Sequence, residues 1–182
     1  MTRHALAIEP LTKAAFAPFG TVIDCDGATQ IPINQGTTTR FDALCEVDVA
    51  TGGGRPILSL FRGTRRPAPI ALKMLERHPL GSQAFYPLSQ HDWLVVVAPG
   101  SADESLPDFA ALRCFRASGT QGVSYDAGTW HHPLLILEDE QDFLVVDRAK
   151  PAGEANGLNL DEVWFADIDK DAPDGVAALI AP

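Results

Sequence analysis

Two stretches of this chain carry side chains able to hold a metal ion or move protons. The first is Glu76-Arg77-His78-Pro79-Leu80-Gly81-Ser82-Gln83, which offers a carboxylate, an imidazole and an amide. Glu76 and His78 are two residues apart, so on an extended strand they point the same way. Pro79 and Gly81 predict a turn, which lets Gln83 meet the first two from a neighbouring strand. The second stretch, Asp126-Ala127-Gly128-Thr129-Trp130-His131-His132-Pro133, adds imidazoles from elsewhere. On a regular strand His131 and His132 face opposite sides, unless a bend before Pro133 redirects one. Imidazole is the natural proton carrier near neutral pH. The expectation is that Glu76, His78 and His131 enter one barrel-like pocket.

Those groups need strands to position them, and strand signals dominate the flanking sequence. Residues 93–98, Trp-Leu-Val-Val-Val-Ala, form the clearest run. Its unbroken apolar character predicts burial on both faces. Further strands are expected at 6–8, 21–23, 56–62, 85–86, 112–117, 123–125, 134–137 and 143–147. Residues 70–76 read either as a helix turn leading into a strand or as the strand itself. A short helix is expected over 11–19, with Thr12 as its cap, Phe16 and Phe19 on one face and Gly20 ending it. Asn34 and Gly36 read as turn residues; the alternative is that Asn34 or Arg40 reaches the pocket. Arg65, Arg66, Pro67 and Pro69 predict a rigid basic loop. Many short strands with Gly/Pro turns indicate a mainly β antiparallel sandwich or barrel with few short helices. Residues 1–167 read as one domain. Residues 168–182 read as an acidic, Ala/Pro-rich C-terminal extension, loosely docked.

Composition removes several classes. The chain has 182 residues, 46% hydrophobic and 21% charged, with a formal net charge of −10, which suits one domain with a real core. No basic run offers a face that tracks phosphates, so nucleic acid is not an expected partner. The acidic balance argues against an anionic membrane, and no apolar run approaches the roughly 20 residues of a membrane span. The first ten residues do not read as a signal peptide. Cys25, Cys45 and Cys114 are far apart and unpatterned, which predicts free thiols in a reducing cytoplasm. There is no dinucleotide fingerprint, P-loop or nucleophile elbow. His4 and His91 lack a supporting motif.

The sandwich class includes the cupins. Their first ligand motif, His-x-His followed by Glu, corresponds to Glu76, His78 and Gln83. Their second, Pro-x-Gly-x-x-His, corresponds to Asp126, Gly128 and His131, which favours His131 over His132 as ligand. The chain thus resembles a cupin with an altered ligand set. Longer motifs resemble the ureidoglycolate lyase family: Glu76 to Gly81 followed by Gln83-Ala84-Phe85 and Pro87, then Gly122-Val123, Tyr125 and Trp130 to Leu134. Ile33-Asn34 with Gly36 and Arg40, and Asp142-Phe143 with Asp147-Arg148, match again. The matches are collinear over about residues 5–166.

The resemblance implies cleavage of ureidoglycolate to glyoxylate and urea, downstream of allantoin in purine-derived nitrogen use. It also implies a cytoplasmic homodimer and a divalent metal, usually nickel, for which Glu76, His78, Gln83 and His131 are the candidate ligands. Glu76, His78, His131 and His132 are the candidates for proton transfer. The small anionic substrate needs donors, and guanidinium grips carboxylate with paired hydrogen bonds. Arg62, Arg77, Arg116 and Arg148 are available, although Arg77 alternates away from Glu76 and His78. The family match adds weight to Asn34, Arg40 and Arg148. Tyr125 either orients substrate through its hydroxyl or is a core aromatic. Two other readings stand beside the lyase: hydrolysis to glyoxylate, ammonia and carbon dioxide, and a non-catalytic cupin binding a small carboxylate or sugar.

Overall fold

The run 93–98 shows how the layers are built. Trp93, Val95 and Val97 enter one core cluster, and Leu94, Val96 and Ala98 enter a second on the opposite face. A strand sends alternate side chains to opposite sides, so only a strand sandwiched twice tolerates six apolar residues in a row. The computed structural model describes residues 4–182. The readings of residues 1–3 and of the His4 side chain lie outside the described residues.

In chain order the first strands are β1 (His4–Ala5), β2 (Ile8–Pro10), β3 (Gly20–Ile23), β4 (Thr29–Ile33), β5 (Thr38–Asp42), β6 (Arg55–Thr64), β7 (Ile70–Leu72), β8 (Met74–Arg77) and β9 (Gln83–Pro87). They continue as β10 (Trp93–Ala98), β11 (Arg113–Ala117), β12 (Gly122–Tyr125), β13 (Trp130–His131), β14 (Leu135–Ile136), β15 (Glu140–Ala149), β16 (Asp161–Trp164) and β17 (Ala178–Ile180). Two single-turn helices, α1 (Lys13–Phe16) and α2 (Phe165–Ile168), interrupt them. One sheet runs β16-β8-β13-β10-β11-β2, with β14 also on β10; the facing sheet runs β3-β12-β9-β15-β6. Most pairings are antiparallel, the exceptions being β1 with β17 and β2 with β11. Val95, Val97 and Phe115 from the first sheet meet Phe85, Val123, Phe143 and Val145 from the second. The expected antiparallel β-sandwich with a few short helices is the observed architecture.

Three local readings change. The helix expected over 11–19 is a single turn, with the Ala15 N–H donating to Thr12 Oγ1 at 3.2 Å. Its Phe16 and Phe19 are buried against Phe115 as intended. Asn34 (φ 51°) and Gly36 (φ 86°) turn the chain as expected, but residues 29–42 around them form a hairpin of two strands that the sequence reading did not expect, and β4 and β5 pair only with each other among the described residues.

The third change is at the C-terminus. Residues 176–180 are not loosely docked: β17 lies between β1 and β7, with Ile180 wholly buried and Val176 and Ala178 nearly so. This three-stranded sheet closes the second core through Ile70, Leu72 and Ile180. The alternating Val176, Ala178 and Ile180 carry the strand; the acidic, Pro-containing composition just before them hides that pattern.

Candidate metal centre and active site

Glu76 on β8 and His131 on β13 are partners in the antiparallel pairing of those strands. His78 lies one residue past β8, and its carbonyl accepts from the Gly128 N–H at 2.9 Å. Gly128 holds φ 83°, a left-handed conformation that glycine adopts without a Cβ penalty. This bond ties the two sequence stretches together. Ligand atoms of Glu76, His78 and His131 lie within 4.8 Å of one another.

The tautomers follow from the backbone. His78 Nδ1 donates to the Asn159 carbonyl at 2.8 Å, and His131 Nδ1 donates to the Thr129 carbonyl at 2.9 Å. Carbonyls only accept, so each Nδ1 carries the proton and each Nε2 presents a lone pair. Both Nε2 atoms are buried and lack a hydrogen-bond partner among the described residues. His131 Nε2 is 3.6 Å from Glu76 Oε1. Burial holds the His131 pKa down to about 3, and the neighbouring His78 and His132 push the same way, so the ring is neutral at pH 7. Glu76 moves in the other direction: burial raises its carboxyl, with Glu162 and Asp147 adding and His78 opposing.

Gln83 comes from β9 in the facing sheet. Its Nε2 donates to Asp147 Oδ2 at 3.1 Å, and its Oε1 is buried without a partner. Buried polar atoms are rarely left unpaired without a reason such as an ion. Two imidazole nitrogens and a carboxylate form a donor set suited to a divalent cation, and the Gln83 amide lines the same cleft as Glu76. The residues present therefore fit a metal.

The remaining candidates fall elsewhere. His132 is buried, donates Nδ1–H to the Pro133 carbonyl at 2.7 Å and is not part of the trio. Its pKa is lowered to about 4, first by burial and then by the charge of Arg66. Tyr125 stacks on His131, ring centroids 4.1 Å apart and planes 10° from parallel; burial raises its phenol pKa. Arg77 points away as alternation predicts, lying over the Trp130 ring and pairing with Asp161 at 2.7 Å. Asn34 donates to Thr38 Oγ1 and Arg40 pairs with Asp42, both on the exposed hairpin. The fold does not bring those two to the site within this chain, because the hairpin is paired only with itself. Arg148 is occupied by Glu154 at 2.7 Å and by the Thr51 carbonyl at 2.8 Å. It neighbours Asp147 on a strand, so the two side chains leave opposite faces. Gly54 and Gly81 press against it; a Cβ on Gly54 would meet Arg148 Nε at 2.4 Å.

The site opens into a cleft of about 560 Å³, lined in part by Glu76, Gln83, Phe61, Arg62 and Arg66, within the usual size for small-molecule sites. Sequence reasoning missed the groups that orient the donors: the Asn159 and Thr129 carbonyls and the Asp147 carboxylate. Backbone acceptors have no side-chain signature. Asp147 did have one, in the motif it shares with Arg148.

A mainly β two-sheet sandwich with imidazoles and a carboxylate converging between its sheets defines a cupin-like protein with a candidate metal centre. The sequence profile described as Ureidoglycolate lyase matches residues 3–170. The chain belongs to the ureidoglycolate lyase family. Ureidoglycolate lyase of Burkholderia mallei (strain NCTC 10229) is 55% identical over 164 residues, covering 89% of this chain and 94% of that protein. Ureidoglycolate lyase of Pseudomonas syringae pv. tomato is 51% identical over 163 residues, covering 89% and 91%. Among solved structures, a dTDP sugar isomerase from Desulfovibrio desulfuricans G20 aligns at a TM-score of 0.44 with 14% identity, covering 79% of this chain and 83% of that one.

Proposed function

We propose that this protein cleaves the carbinolamide C–N bond of ureidoglycolate, giving glyoxylate and urea. Family membership supports the reaction, and one observation carries the site assignment: two lone-pair Nε2 atoms converge with the Glu76 carboxylate beside a cleft of substrate size. The substrate carries a hydroxyl and a urea nitrogen on one carbon. Loss of the hydroxyl proton lets the oxygen's electrons form the glyoxylate carbonyl while the C–N pair leaves on nitrogen, which takes up a proton. In a metal-free scheme Glu76 is the group for both transfers, since burial raises its carboxyl; with metal bound it serves as a ligand. His78, His131, Glu76 and Gln83 would hold the metal. A divalent ion there would polarise the substrate oxygens and lower the hydroxyl pKa; nickel is the ion the resemblance implies. Tyr125 backs the His131 ring; in the metal-free scheme His132 is the reserve proton carrier.

The test is a product assay on fresh ureidoglycolate, corrected for spontaneous decay. Intact urea supports the lyase; ammonia and carbon dioxide indicate the hydrolase. Binding without turnover indicates a non-catalytic cupin. Replacing His78 or His131 by Ala is expected to lower metal content and urea release together. Glu76→Gln is expected to lower the rate by about 10²–10⁴-fold with the fold retained. Urea release at wild-type rate by folded His78→Ala or His131→Ala protein would defeat the assignment.

The protein is further proposed to act as a cytoplasmic homodimer in purine-derived nitrogen use. No helix among the described residues is long and apolar enough to cross a membrane. All three cysteines are free thiols, which suits a reducing compartment. Leu58 and Leu60 on β6 are 67% and 68% exposed, an apolar edge strand of the kind a second copy covers. Light scattering should give a dimer mass for the wild type and a monomer for Leu58→Asp.

A further inference from the structure

We infer that Arg66 is the specificity-determining residue that grips the substrate carboxylate at the mouth of the cleft, an inference resting on the lyase reading above. Three guanidiniums, of Arg62, Arg65 and Arg66, line the same cleft as Glu76 and Gln83. Two already have acidic partners. Arg62 holds Asp142 through paired hydrogen bonds of 2.7 and 2.8 Å and also meets Glu140 at 3.2 Å. Arg65 pairs with Asp139 at 2.7 Å. Arg66 has no carboxylate or hydrogen-bond partner among the described residues, so its paired donors are available to a ligand.

The loop also restricts it. Pro67 follows directly, which confines the Arg66 backbone to extended conformations, and Pro69 stiffens the same turn. The backbone that carries the guanidinium therefore loses less freedom on binding than a flexible loop would. The assignment has a chemical logic as well. Ureidoglycolate presents its carboxylate on the carbon that carries the reacting hydroxyl. The cleft therefore needs a cation within one small molecule's length of Glu76, and the planar fork of arginine matches a carboxylate. The other family-matched arginines are taken: Arg40 by Asp42 on the outlying hairpin, Arg148 by Glu154. An uncompensated carboxylate in a confined site is costly, and Arg66 supplies the compensation without breaking an existing ion pair.

The experiment compares wild type, Arg66→Ala, Arg66→Lys, Arg62→Ala and Arg65→Ala. It reads KM and kcat for urea release, metal content, thermal midpoint, and glyoxylate affinity by calorimetry. Arg66→Ala is expected to raise KM and weaken glyoxylate binding by on the order of 10- to 100-fold, the range for a hydrogen bond to a charged group. Metal content and midpoint should stay at wild-type values, since the side chain is exposed. Arg66→Lys should recover part of the affinity, keeping charge without the fork. Wild-type KM and glyoxylate affinity in Arg66→Ala overturn the inference. So does a loss that appears in Arg62→Ala or Arg65→Ala while Arg66→Ala is unaffected. If the wild type releases no urea, the lyase reading fails, and glyoxylate calorimetry still decides: loss on Arg66→Ala supports the clamp, and equal or absent binding overturns it.

Discussion

His78 and His131 share a feature that separates them from ordinary buried histidines. Each spends Nδ1–H on a carbonyl and leaves Nε2 without a partner at the centre of the site. Arg148 is the contrast: a buried residue from a family motif whose three guanidinium nitrogens all donate inside the fold. Its guanidinium meets Glu154 and the Thr51 carbonyl. Replacing it by Met would strand the Glu154 carboxylate, whose side chain is 8% exposed. Arg148→Met is therefore expected to lower the thermal midpoint while KM, measured on the remaining folded protein, stays near wild type. A KM increase without loss of stability would return Arg148 to the substrate.

At the scale of elements, the edge strand β2 is held by a charge pair as well as by its parallel pairing with β11. Arg113 donates to both Glu9 carboxylate oxygens, at 3.1 and 2.6 Å, and to the Ala15 carbonyl of α1 at 2.9 Å. The hydrogen bonds from Arg113 hold the Glu9 carboxyl below its ordinary value of 4.5, with burial opposing. The folded chain thus binds fewer protons here than the unfolded chain. The stabilisation is fully present above the unfolded value and is lost as pH falls through the folded one. Glu9→Gln keeps an acceptor but removes the charge. Its urea midpoint is expected to lie below wild type at pH 7, with the gap closing below about pH 4. The pair is partly solvated, so the gap at pH 7 should be small. A constant gap across pH would mean that the charge contributes nothing.

The whole molecule depends on its last strand more than its composition suggests. Ile180 is wholly buried among Ile70, Leu72 and their neighbours, and the Ala177 N–H donates to the Leu72 carbonyl at 2.8 Å. Ile180→Ala is expected to cost about 2–5 kcal/mol by denaturant titration. Removing residues 173–182 should expose the outer face of the β8–β10–β11 sheet and yield aggregating protein. The family profile ends at residue 170, so the central strand of this closure, β17, lies beyond the matched region while its neighbours β1 and β7 lie within it. A truncated protein with wild-type stability would show that the second core is closed without β17.

The sequence by itself determined the two-sheet architecture, because burial on both faces of 93–98 follows from the period of a strand. It also determined the likeness of Glu76 and His78, since two-residue spacing places both on one face wherever the strand lies. Parity likewise separated Arg77 from the site and His131 from His132. It did not reveal that Asn34 and Arg40 stand apart on a self-paired hairpin, because their motif says nothing about which strands the hairpin joins. Nor did it distinguish Arg66 from Arg62 and Arg65. That distinction depends on acids at 139, 140 and 142, more than seventy residues away, and only the pairing of β6 with β15 sets them beside the loop. The orientation of the imidazoles was hidden for the same reason. Their partners are backbone carbonyls, which every residue possesses, and only the tertiary fold decides which carbonyl arrives within hydrogen-bond reach.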